Sequence, residues 1–246
     1  MNAKPAAAAA APDLSKLVIK GRQPSPPRIL VYGMEGIGKS TFGANFPNPF
    51  FIAAEDGLDN IHCSRFPTAK SYQEFEEYLK YRVANPEDYQ TLVIDSLDWL
   101  ERLIWDQVCE DEKVTSIEKI VYGKGYVIAL YYWRQILDLL SEWHEGGYIT
   151  LLVAHAVAEK YVDPEVTLTR FAPRLHKHAL SFIAEYVDVI LLATRKVGAA
   201  MGGVNNPRIV RSDTSPFQMA KSRFVIPAEM PLDANVVLRA IQEAQK

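Results

Sequence analysis

The sequence predicts an α/β fold with a mostly parallel central sheet flanked by helices. Three observations carry that expectation. Apolar runs recur at residues 29–32, 49–54, 91–94, 149–154 and 187–193. They are continuous and not alternating, as in strands buried on both faces. Between them lie stretches with helical spacing, at 71–84, 97–108, 127–144 and 178–185, and a closing one at 236–244. Strands that alternate with helices give a parallel sheet.

The first run leads into Gly33-Met34-Glu35-Gly36-Ile37-Gly38-Lys39-Ser40-Thr41, which has the Gly-x4-Gly-Lys-Ser spacing of a phosphate-binding loop. Context strengthens the motif, because an apolar strand feeds the turn and a short helix, 40–45, follows until Pro47 stops it. Glycines let successive N–H groups face one anion, and the helix dipole adds positive charge at the same point. In such a loop Lys39 reaches the β- and γ-phosphates and the Ser40 hydroxyl ligates Mg²⁺.

The remaining elements follow in order. In 71–84, Tyr72, Phe75, Tyr78, Leu79 and Val83 share a face, with Glu74, Glu76 and Glu77 outward. Residues 109–125 are polar and end in the glycine-flanked loop Tyr122-Gly123-Lys124-Gly125-Tyr126. The 127–144 helix is terminated by Gly146-Gly147, and the strand 149–154 ends at His155. Residues 157–177 have a broken pattern and read as a loop or hairpin. Residues 198–206 form a turn-rich insertion, and 208–212 a short strand. No internal repeat is visible.

Composition sets bounds. The chain has 246 residues, 48% hydrophobic and 23% charged, which suits one domain with appendages. We expect a flexible tail and linker at 1–27 and a core domain at 28–246. Residues 14–19 form an apolar patch beyond a proline-rich linker, expected to pack back on its own domain. No run approaches a membrane span. The alanine-rich start lacks the features of a signal peptide, so a cytoplasmic location is expected. Cys63 and Cys109 lie far apart, and His62 beside Cys63 does not complete a zinc site, so both read as reduced thiols. A net charge of −3 means that any nucleic acid must be held by local basic loops, not by a global field.

Leu92-Val93-Ile94-Asp95 has the Walker B pattern, in which a buried strand delivers an acid to Mg²⁺ beside the loop. Ser96 follows where many ATPases have glutamate, so the base must come from elsewhere. Glu55, at the end of the second strand, is the best candidate, with Asp56 competing. His155, at another strand end, is placed to contact a γ-phosphate and report hydrolysis to the loop after it.

These parts in this order resemble the RecA-like recombinase core. His155 stands where RecA proteins carry a glutamine, and residues 178–190 look like the helix and strand after the second DNA-binding loop. Within that superfamily the chain looks most like the short phage-encoded ATPases of the Sak class, which are single-strand annealing recombination proteins. Ala154-His155, the Tyr122–Tyr126 loop and Ala220-Lys221-Ser222-Arg223 fit that class. The resemblance implies hydrolysis of ATP with Mg²⁺ and self-assembly into a ring or filament. It also implies single-stranded DNA as partner, with a single-strand DNA-binding protein as a further candidate. It makes Lys221 and Arg223 candidates for cations inserted into a neighbour's site. The candidate DNA contacts are Lys160, Arg170, Arg174 and Lys177, interleaved with Tyr161 and Phe171, and Lys124 on the glycine-flanked loop. Asp163 and Glu165 dilute that charge. Two other readings share the core: a DnaB-like helicase or loader motor, and a nucleotide-binding regulatory module without DNA activity.

Overall fold

The computed structural model describes residues 17–162, 167–196 and 206–246. The tail at 1–12, the first residues of the 14–19 patch, Asp163, Glu165 and nearly all of the 198–206 insertion lie outside them. In chain order the elements are β1 (Arg28–Gly33), α1 (Lys39–Ala44), β2 (Pro49–Ala53), β3 (Ser64–Arg65), α2 (Tyr72–Ala84), β4 (Thr91–Asp95) and α3 (Leu97–Asp111). Two short 3-10 turns precede α4 (Lys124–Glu145), β5 (Ile149–Val162), β6 (Thr167–Pro173), α5 (Lys177–Tyr186) and β7 (Val189–Arg195). The chain closes with β8 (Arg208–Arg211), β9 (Lys221–Ser222), β10 (Glu229–Pro231) and α6 (Ala234–Ala244).

The strands form one sheet in the order β10-β8-β7-β1-β5-β4-β2-β3. From β7 to β3 all neighbours are parallel, and β8 and β10 add an antiparallel edge. The expected α/β fold with a mostly parallel sheet is therefore present. Alternation along each strand sends side chains to two cores. Leu30, Tyr32, Ile52, Ile94 and Leu152 pack with α2, α3, α4 and α5, whereas Ile29, Val31, Phe51, Val93 and Leu151 pack with α1 and α6. Burial on both faces is why these strands are apolar throughout.

Three expectations change. First, β5 does not end at His155. It runs on to Val162, leaves the parallel sheet and pairs antiparallel with β6 as a two-stranded ribbon. Second, Lys124 and Tyr126 belong to the first turns of α4 and not to a loop. Gly125 permits this, since a Cβ there would lie 2.6 Å from Ile117 Cγ1. Third, Leu17, Val18 and Ile19 do not pack on the domain and are 68%, 62% and 75% exposed. The linker after them is what docks, through Thr150 N–H to Pro27 O (3.3 Å) and Gln245 Nε2 to Ser25 O (2.8 Å). No described helix is long and apolar enough to cross a membrane.

Candidate nucleotide site

Sheet order decides what meets at the C-terminal ends of the strands. Parallel β5 lies between β1 and β4, so His155 pairs in register with Gly33, and Val153 pairs with Asp95. Ala53 pairs with Asp95 on the other side, which brings Glu55, two residues on, to the same crevice. Lys39, Ser40, Glu55, Asp95 and His155 thus line one cleft of about 400 Å³, within the range of small-ligand sites. Open α/β sheets bind ligands at this edge.

The loop itself has the backbone of an anion cradle. Gly36 and Gly38 take φ of 72° and 104°, in the left-handed region that favours glycine. Gly33 is required for a different reason: a Cβ there would sit 2.5 Å from Ala193 O of β7. Because α1 has only six residues, the N–H groups of the loop matter more than a macrodipole. Lys39 is buried, and its Nζ donates to Gly33 O (3.0 Å) and Met34 O (3.1 Å). Burial lowers its pKa, while Asp95, Glu35, Asp98 and Glu55 oppose that change by their charge.

Asp95 is buried at the end of β4. Burial raises its pKa, the Ser40 hydroxyl beside it acts in the opposite sense, and the Glu55 charge raises it further. Among the described residues its Oδ2 has no hydrogen-bond partner, although a buried acceptor is costly to leave unpaired. A hydrated divalent cation fits such an oxygen. Among the described residues no three His, Cys, Asp or Glu side chains cluster to hold a metal by themselves.

Glu55 is held by Ser96, which the sequence shows only as the residue in place of a glutamate. Ser96 caps no N–H of α3 with its side chain, and instead its Oγ donates to Glu55 Oε2 at 2.8 Å. Behind Glu55, His155 Nδ1 lies 3.8 Å from the same oxygen. Asp98, which nothing in the sequence singles out, lies in the first turn of α3 and is 3% exposed. It accepts from the His155 backbone N–H (3.1 Å), lies 3.1 Å from His155 Nδ1 and accepts from Arg174 Nη2 (2.6 Å). Burial alone would push its carboxyl up, but these bonds hold it well below the usual range.

Arg174 is therefore committed to the site and not to an open DNA face. Its N–H donates to His155 O (2.8 Å), and Nη1 lies 3.4 Å from Glu35 Oε1 of the loop. Arg170 is partly committed as well, paired with Glu159 at 2.8 Å and lying over the Tyr161 ring at 4.4 Å. Lys124, Lys160 and Lys177 are exposed. Strand alternation divides the ribbon, with Lys160 and Phe171 on one face and Tyr161 and Arg170 on the other. The α4 start joins this region, because Tyr126 stacks on His176 at 4.1 Å, one residue before Lys177.

Lys221 and Arg223 are not near this chain's own loop. β9 pairs with the start of β7, at the opposite end of the sheet. Lys221 Nζ donates to Ala184 O (2.5 Å) and Val187 O (2.8 Å), and Arg223 binds Asp188 Oδ1 (2.9 Å) and Glu185 O (2.8 Å). With Arg170 and Lys177 they line a groove of about 610 Å³ between the ribbon and α5.

A glycine cradle, a buried lysine and a buried aspartate with one oxygen left open, one strand removed, define a P-loop nucleotide-binding ATPase core in a mostly parallel sheet. The AAA domain family model matches residues 25–224, and the chain belongs to that family. It is 24% identical over 168 residues to the SPbeta prophage-derived uncharacterized protein YorG of Bacillus subtilis (strain 168). That match covers 66% of this chain and 49% of YorG, so the chain spans about half the length of its curated relative. The RadB recombinase is 12% identical with a TM-score of 0.45, covering 76% of this chain and 80% of that one. A KaiC-like protein from Pyrococcus horikoshii OT3 is 16% identical with a TM-score of 0.41, covering 76% and 79%.

Proposed function

We propose that the protein is an ATP-hydrolysing, Mg²⁺-dependent recombination ATPase of the Sak type, which binds single-stranded DNA as an oligomer and promotes annealing. One observation carries the reading: a single strand, β5, places His155 beside the catalytic acids and Lys160 on an exposed ribbon. Nucleotide state and grip on DNA then share one piece of backbone.

In this reading Glu55, fixed by Ser96, orients the attacking water and accepts its proton. Lys39 and the loop N–H groups neutralise the charge that develops on the phosphates. Ser40 and Asp95 would hold Mg²⁺, which supplies further neutralisation of β- and γ-oxygens. His155 and Arg174, tied together through Asp98, register the γ-phosphate. Lys221 and Arg223, at the far end of the sheet, are too remote for this chain's own nucleotide, so a catalytic role for them would be at a neighbour's site in a ring or filament. Exposed Lys124, Lys160 and Lys177, with Tyr122 and Phe171 nearby, supply phosphate contacts and stacking faces.

The test is fluorescence anisotropy on a labelled single-stranded oligonucleotide, with ATP and with ADP, followed by an annealing assay on complementary strands. Binding should be tighter with ATP. Replacing Lys124, Lys160 and Lys177 together by alanine should weaken it and flatten its log–log salt dependence by about 0.7 per lost contact. ATPase without DNA should survive. Unwinding of a duplex would favour the helicase reading. Absence of any DNA response in the folded protein would leave the regulatory module.

A further inference from the structure

The cleft contains a cation that neither the loop motif nor the proposed hydrolysis uses. Arg208 opens β8, which is separated from β1 by β7 and so lies on the flank away from Glu55, Asp95 and His155. Two backbone ties hold it there: register with Arg195 of β7, and Arg208 O accepting from Leu232 N–H at 3.0 Å. Its guanidinium reaches back over the loop. A Cβ placed on Gly38 would lie 2.9 Å from Arg208 Nη1 and 3.8 Å from Leu232 Cδ2. Arg208 therefore lines the same cleft as Lys39, Ser40 and Glu55, roofing the turn whose N–H groups face the anion.

We infer that Arg208 is a second phosphate-binding cation, gripping the part of the triphosphate that is kept as nucleoside diphosphate. The inference rests on the nucleotide reading above. Asp95 and Glu55 follow β4 and β2 on one flank of β1, with His155 of β5 between, and the guanidinium stands on the other flank. A planar fork of N–H donors suits two non-bridging oxygens at once. A contact made equally before and after hydrolysis stabilises substrate and product alike, so Arg208 governs affinity and product release and leaves the chemical step to Glu55.

Calorimetric titration of the full chain with ATP, ADP and inorganic pyrophosphate tests this, using wild type, Arg208→Ala, Arg208→Lys and Lys39→Ala. Arg208→Ala should lose about ten- to a hundredfold in affinity for all three ligands, the range for a charge-assisted hydrogen bond. Arg208→Lys should recover part of it, and the melting temperature without nucleotide should stay unchanged. Unaltered ADP and pyrophosphate affinities would overturn the inference. So would a loss confined to ADP and ATP, which places the contact on the base, or one confined to ATP, which places it on the γ-phosphate. If Lys39→Ala binds ADP as well as wild type does, the nucleotide reading itself fails, whatever Arg208 does.

Discussion

The two ends of the parallel sheet each carry a buried aspartate clamped by basic side chains, and they differ in one respect. At the N-terminal end, Asp188 accepts from Arg28 N–H (3.0 Å), Arg28 Nη2 (2.8 Å) and Arg223 Nη1 (2.9 Å). Burial pushes its carboxyl up, but these donors prevail and lower it. At the C-terminal end Asp98 is clamped in the same way by His155 and Arg174, yet its neighbour Asp95 keeps an oxygen with no partner. A satisfied cluster holds elements in place. A cluster left incomplete a few ångströms from a glycine cradle has room for a ligand to complete it. Charge density alone would not have distinguished the two.

The sharpest way to break that contrast is Glu55→Gln. Turnover should fall by about 10²–10⁴-fold, the usual worth of a general base, while nucleotide binding and melting temperature stay near wild type. Turnover at the wild-type rate would move the base to Asp56. A smaller effect compares the two clamps directly. Asp188→Asn should cost about 2–3 kcal/mol in chemical denaturation, below the range for a fully buried pair because both guanidiniums reach solvent, with nucleotide affinity per folded molecule unchanged. Asp98→Asn should instead lower turnover roughly ten- to a hundredfold by loosening His155 and Arg174. If both variants change only stability, the two ends are equivalent and the contrast is void.

The smallest effect is a pH slope. Glu101, buried on α3 and accepting from the His176 N–H (2.9 Å and 3.1 Å), is pushed up to about 7 by burial. The folded protein thus holds a proton that the unfolded chain releases at its ordinary, lower pKa. Stability should decline as pH rises from about 4.5 and level off above about 7. Glu101→Gln should flatten that part of a melting-temperature-against-pH curve, and an identical curve would show that Glu101 ionises freely.

Loop and strand residues of the site were legible because each follows an apolar run, and a run's end is where a parallel sheet delivers its side chains. Lys39, Asp95, Glu55 and His155 could be placed in one crevice for that reason. Asp98 could not, since an acid in the first turn of a helix reads equally well as a solvated charge favoured by the dipole. Arg174 was misplaced by the same limit: a basic residue after a hairpin gives no sign of which acid it will meet 76 residues away in sequence. Arg208 was hidden because its approach to Gly38 depends on β8 lying two strands from β1, and short strands late in a chain do not declare their neighbours. The continuation of β5 past His155 was obscured by its shift from a doubly buried strand to an open ribbon, which changes its pattern midway.

Tyr32, one residue before the loop, donates from one hydroxyl towards Phe171 O (3.0 Å) and Met219 O (2.7 Å). This phenol rivets the ribbon's root to the strand that carries the cradle. Beyond Phe171 no hydrogen bond among the described residues fastens the ribbon to the sheet. The described outer part of the ribbon is thereby set apart from the cleft at its root, as a tool from a fixed handle.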